Sequence, residues 1–143
     1  MIPLPPTTPV VRDLAGLLAA IDGGAATVVS IPAAGGSVGA GAWAAMVAAA
    51  RAARPGRAFA AVLDCADRPG HVLAAWRAGV TDVAFAAGAK AAPRLVAIAA
   101  GTGLRLWATP SVGGIPARGS LQDGASSANQ APATPTSEQR DVR

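Results

Sequence analysis

The chain has no tyrosine, one cysteine, one histidine and one lysine in 143 residues, and aromatics make up only 3% of it. Each scarcity removes a class of chemistry. With Cys65 alone, no intramolecular disulfide can form, and a reduced, cytoplasmic setting is the expectation. Cys65 and His71 together offer two metal ligands where structural zinc takes four, so neither a metal site nor a cofactor is expected. The missing tyrosine takes away one common acid or base. The lack of an aromatic platform or zinc-finger spacing leaves nucleic-acid binding only as a weak reading carried by arginines.

Long apolar runs are missing too. A membrane-spanning helix needs about 20 apolar residues, and the nearest approach, Ala33 to Ala50, is interrupted by Gly35, Gly36, Gly39 and Gly41. The opening MIPLPPTTPVV has four prolines in nine residues and neither the basic start nor the apolar block of a signal peptide, so a flexible leader over 1–10 and no membrane partner are expected.

Small apolar residues fill the space that these absences leave. Hydrophobic residues reach 52% of the chain, largely alanine and valine, so a core has to come from close approach of helices to a sheet rather than from large side chains. The net charge is +4, with 12 basic and 8 acidic residues. Arginine supplies every basic group except Lys90, a bias that coding preference in a GC-rich genome also produces, so the charge is weak evidence for a nucleic-acid partner. Arg51, Arg54 and Arg57 form the one basic cluster of note.

The chain divides into the leader, a periodic core over 11–108, and a tail over 109–143 rich in Pro, Gly, Ser, Thr and Gln that is expected to be disordered. Within the core, TVVSI (27–31), FAAVL (59–63), VAFA (83–86) and LRLW (104–107) read as strands. Helical spacing predicts helices over about 12–21, 41–54, 68–78 and 90–100, with core stripes Leu14/Leu17/Leu18/Ile21, Trp43/Met46/Val47/Ala50, Val72/Leu73/Trp76 and Leu95/Ile98/Ala99. Pro55-Gly56, Gly79, Gly101 and Gly103 mark helix ends. Alternation of this kind defines a small α/β domain, three-layer or half-barrel-like, with about four parallel strands joined by helical crossovers. Sequential strand order gives the half-barrel and reversal after the first crossover gives a doubly wound sheet; the longer first crossover favours the second. Arg105 between Leu104 and Leu106 reads as the wet face of an edge strand. Four strands would then leave two open edges, which points to a homo-oligomer or a protein partner.

Parallel α/β domains bind ligands where strand carboxyl ends meet helix starts. Three such junctions gather the candidates. The loop PAAGGSVGAG (32–41) offers Gly35, Gly36, Ser37 and Gly39 as a cradle for a small anionic ligand, although it lacks both the P-loop and the dinucleotide spacing. Asp64 follows a buried run and reads either as a catalytic or ligand carboxylate or as a loop anchor. Asp67, before Arg68-Pro69-Gly70, reads as a helix N-cap and a second ligand candidate. Lys90 reads as the electrostatic clamp of a catalytic site. Cys65 reads as a packed thiol, and His71 falls beside Ala74, Ala75 and Ala78 rather than on the core stripe.

Two functions compete. One is a non-catalytic interaction or scaffold module that self-associates or joins a larger cytoplasmic assembly. The other is a small-molecule or phosphate-binding enzyme that uses Asp64 and Lys90 at the carboxyl edge of the sheet.

Overall fold

The computed structural model describes residues 1–109, and the expectation for the tail falls outside them apart from Thr109. The described residues form six strands and four helices, alternating from β2 onward: β1 (Ile2–Pro3), β2 (Val10–Val11), α1 (Leu14–Asp22), β3 (Thr27–Ser30), α2 (Ala40–Ala53), β4 (Ala60–Asp64), α3 (Pro69–Arg77), β5 (Asp82–Phe85), α4 (Ala92–Thr102) and β6 (Arg105–Ala108). A single π-helical turn, Gly35–Gly39, leads into α2. The four strands read from the sequence are β3 to β6, each within a residue or two of its expected place.

All pairs are parallel and the order is β1-β6-β5-β4-β3-β2. The doubly wound expectation is therefore corrected. β3 to β6 lie side by side in sequence order, and the length of the first crossover reflects the π-helical turn rather than a change of direction. Crossovers of one hand in a sequential sheet place their helices on one face. The core shows this. Val28, Ala61, Leu63, Val83, Phe85 and Leu106 pack with Leu17, Ile21, Trp43, Ala50, Val72, Ala75, Leu95 and Ala99 from the helices. The opposite face has a small cluster of its own, Val29, Val62, Ala84 and Trp107, joined by Leu4 and by no helix residue. The domain is thus two-layered and half-barrel-like, not three-layered.

The helix stripes follow from this arrangement, with two exceptions: Leu14, expected on the core stripe of α1, is 37% exposed at its first turn, and the second is in α3. Trp76, expected on the core stripe of α3, is 44% exposed, and Ala75 is buried in its place beside Val72. A helix lying close to the sheet has room for alanine there and not for an indole. Asp13 caps α1 by accepting the Gly16 N–H at 2.8 Å. Gly79 and Gly103 end α3 and α4 with φ of 90° and 78°, where an L side chain would be strained.

The leader, expected as a tether, instead supplies both outermost strands. β1 pairs with β6 through Ile2 opposite Trp107 and Pro3 opposite Ala108, and β2 pairs with β3 through Val10 opposite Val29 and Val11 opposite Ser30. Neither main edge is open, and β6 is not the edge that alternation suggested. Short edge strands bearing proline are a known way to blunt a sheet. The leader also limits the sheet's shape. From Pro3 to Val10 the chain includes a turn closed by Thr8 N–H to the Pro5 carbonyl at 3.0 Å. A turn and four extended steps reach about 21 Å, whereas six strands in a flat sheet would hold their outer members about 24 Å apart. The sheet has to curl, and the curl shelters its helix-free face.

One ionised group lies inside that face. Asp82, 1% exposed, accepts from Arg105 Nη2 at 2.9 Å, Trp107 Nε1 at 3.0 Å and Thr81 Oγ1 at 3.0 Å, with Arg105 Nε also 2.7 Å away. The bond to Asp82 raises the Arg105 guanidinium above its ordinary value. Arg105 is therefore partner to a buried acid rather than only a marker of a wet strand face. Asp82→Ala strands the Trp107 N–H and leaves Arg105 to turn toward solvent, and should destabilise the fold by about 3 kcal/mol in urea unfolding. A loss under about 1 kcal/mol would contradict this account of the face.

Candidate functional site

The β3, β4 and β5 carboxyl ends form one rim because their strands are parallel. Asp64 closes β4. Its backbone N–H donates to Ser30 Oγ at 2.9 Å, and the Ser30 hydroxyl donates to the Ile31 carbonyl at 2.9 Å, which ties the ends of β3 and β4 together. The Asp64 carboxylate accepts the Ala66 N–H at 2.7 Å, and the Ala33 N–H also acts on it. Ala33 and Ala66 are the two non-glycine residues with positive φ among the described residues, at 58° and 52°. A left-handed alanine costs about 1–2 kcal/mol. The carboxylate thus holds the strained Ala66 directly, with the strained Ala33 of the neighbouring loop beside it. Burial pushes the Asp64 carboxyl above the usual range, opposed by those two N–H groups.

The glycine loop lies directly on this junction. A Cβ at Gly35 would stand 2.9 Å from Cys65 Sγ, and one at Gly36 would stand 2.7 Å from His71 Cε1. Gly35 thus lets the π-helical turn close on the buried Cys65, and Gly36 lets it lie against the His71 ring without displacing it, a reason distinct from the anion cradle expected of them. Gly39 has φ of 91° at the entry to α2, and Ser37 is exposed. Cys65 is fully buried, and burial, with the Asp64 charge second, pushes its thiol up to about 12. A thiol so placed stays protonated and unreactive at neutral pH.

Asp67 is not the cap of α3. The helix starts at Pro69 with Arg68 as its N-cap, and no side chain caps it. A turn closed by Arg68 N–H to the Cys65 carbonyl at 3.0 Å puts Asp67 inside the turn, one residue too early. There its carboxylate sits 3.6 Å from Arg68 Nε, with both side chains exposed. Lys90 is exposed in the turn between β5 and α4. Among the described residues, no hydrogen bond or ion pair joins Lys90, Ser37 or Asp67 to Asp64, and no group of three or more His, Cys, Asp or Glu is placed to hold a metal.

The rim thus gathers Asp64, Cys65, His71, Gly35 and Gly36. Ser30 and the two left-handed alanines have no sequence signal that separates them from their neighbours. Asp82 has one, an acid set directly before the apolar run VAF, and that is where strand reasoning placed the start of β5 one residue late.

Three cavities lined by described residues lie elsewhere. One of about 240 Å³ is bounded by Trp43, Val47, Arg51 and Thr81, and one of about 140 Å³ by Trp76, Val80, Thr102 and Leu104, the two sharing Gly79, Val80 and Thr81. The third, of about 510 Å³, lies between Pro5–Pro9 and the α1–β3 turn.

The basic cluster is engaged internally. Arg54 grips Asp22 with two bonds of 2.6 and 2.8 Å, which lowers the Asp22 carboxyl and raises the guanidinium. Arg57 donates twice to the Ile21 carbonyl, at 3.1 and 2.9 Å, near the end of α1. Arg51 lies over the Phe59 ring at 4.3 Å and donates to the Phe59 carbonyl. No helix among the described residues is long and apolar enough to cross a membrane. No protein-family model matches the chain, and no match is found among curated proteins or solved structures.

The raised carboxyl of Asp64 has a pH consequence. A folded value above the unfolded one means that the native state binds the proton more tightly, so this group's contribution to stability falls as pH rises from its unfolded value near 3.8 through the raised folded value. Asp64→Asn keeps an oxygen acceptor for Ala66 and cannot ionise. Urea midpoints taken across pH 3–7 should show wild type losing stability relative to Asp64→Asn in that window. Parallel curves would refute the assignment.

Proposed function

We propose that this chain is a non-catalytic α/β interaction module that self-associates or joins a larger assembly, with the surface around Trp76 as its contact. The observation that supports it is how the acids are used. Of the five acidic residues between positions 12 and 108, Asp13 caps a helix, Asp22 holds Arg54, Asp64 holds the loop after β4 through Ala66 and Asp82 fills a buried network. Asp67, beside Arg68, is the one without such a task, and among the described residues no hydrogen bond or ion pair joins it to Asp64 to make an acid–base pair.

Open sheet edges no longer motivate association, because the leader covers them. Trp76 is the exposed feature that motivates it instead. An exposed tryptophan beside a cleft with room for one large apolar side chain has the composition of a binding hot spot. Light scattering at tens of micromolar should report more than one subunit, and Trp76→Glu should weaken that association at least tenfold while shifting stability by no more than about 0.5 kcal/mol. A wild-type chain that stays monomeric under these conditions would remove the self-association reading.

A second reading, an enzyme or binder of small anions at the rim, draws on the strain there. Two left-handed alanines and a π-helical turn meet around one carboxylate, and such irregularities cluster at functional sites. Titration with inorganic phosphate, followed by backbone amide NMR shifts, tests it. Saturable shifts at residues 34–41 would favour this reading, and none at millimolar phosphate would end it.

A further inference from the structure

We infer that the β1 arm, Met1–Leu4, is exchangeable between two copies of this chain, so that β1 of one copy seats on β6 of the other. The arm rests on little. It makes two ladder pairings, and Leu4 N–H donates to the Ala108 carbonyl at 3.3 Å. Its one buried side chain is Leu4, which fills a slot floored by Val29, Val62, Ala84 and Trp107, one residue from each main strand. Met1 and Ile2 stay 40% and 37% exposed. An arm of this kind opens at far lower cost than the core. Its opening uncovers the β6 edge and an apolar slot shaped for leucine.

A second copy is the occupant that fits. It carries the same Leu4 at the same spacing, so exchange recreates every contact at no loss, and reciprocal exchange closes the pair with two-fold symmetry. The connection between the arm and β2 permits it. The Pro5–Thr8 turn, with Pro6 at its second position, is held by the Thr8 N–H and hydroxyl on the one Pro5 carbonyl, at 3.0 and 2.7 Å. Exchange has to open only those two exposed bonds, after which Pro5, Pro6 and Pro9 suit an extended connection. β2 stays at home, because Val11 is 3% exposed in the helix-side core and only Arg12 and Asp13 separate it from α1. The inference shares with the function proposed above only the second copy as partner. It concerns a different surface and survives the loss of Trp76.

Disulfide trapping tests it. Pro3 and Ala108 are paired neighbours in parallel strands, a separation that a disulfide can span. The double variant Pro3→Cys/Ala108→Cys, oxidised when dilute, should close within one chain; failure to do so would overturn the placement of β1 and the inference with it. A Pro3→Cys chain is then mixed with an Ala108→Cys chain of different mass, concentrated to hundreds of micromolar and oxidised. The expected result is a mixed-mass covalent dimer on non-reducing gels that grows with concentration, persists with Trp76→Glu, and drops at least fivefold when the Pro3→Cys chain also carries Leu4→Asp. A yield unaffected by Leu4→Asp marks random collision and overturns the inference, as does the absence of mixed dimer. If light scattering shows association without any mixed disulfide, arm exchange fails and the Trp76 reading stands.

Discussion

A sheet whose crossovers all return on the same side has one face that the helices never cover, and this constraint governs the molecule. The helix-free face of β3 to β6 needs another cover, and the N-terminal segment provides it by pairing at both outer strands and setting Leu4 among Val29, Val62, Ala84 and Trp107. The covering is inexpensive in chain length only because the sheet curls. Curling also brings Asp82, Arg105 and Trp107 into a sheltered space where a single carboxylate satisfies three donors, and this makes a buried charge tolerable in a core otherwise built from small aliphatic groups.

Composition and packing explain each other here. Alanine contributes little apolar area, so stability has to come from density. Ala50, Ala61, Ala75 and Ala99 occupy positions where a larger side chain would hold helix and sheet apart. The few large groups then act as spacers. Trp43, Phe85, Leu17 and Leu63 are almost wholly buried, and Trp76, with no such space beneath α3, is left outside.

The strands, the helices and their punctuation were legible because they rest on local patterns: apolar runs of four or five residues, three-and-four spacing, and glycine or proline at the ends. Strand order was not, since crossover length carries no information about which side of the sheet the next strand joins. The leader was misread for a related reason. Ile2-Pro3 and Val10-Val11 are too short to show any period, and only the existence of two unpaired edges far along the chain turns them into strands. Asp67 looked like a cap because it precedes a proline, but the helix counts from Pro69 and an N-cap is set by backbone geometry a single residue wide. At the rim, sequence singled out the right neighbourhood through Asp64, Cys65 and His71. It could not show that Gly35 and Gly36 exist to let a turn sit on two of those side chains.

Polar scarcity shapes what such a domain can do. An enzyme of this architecture needs groups at its rim that the fold itself does not consume, and this core has few polar groups to spare. Arg54, Arg57 and Arg51 join turns to helices, and four of five acids hold backbone or partner groups in place. Ser30 spends its hydroxyl between two strand ends, and the thiol of Cys65 is sealed beneath a glycine turn. Chemistry-bearing residues have become fasteners for a framework of alanine and valine. Apolar surface is what such a framework has in excess, and the exposed Trp76, Val96 and Val10 are where it shows. Recognition of other polypeptide through shape and apolar contact asks nothing of the polar groups, and this is the physical ground of the association proposed for Trp76.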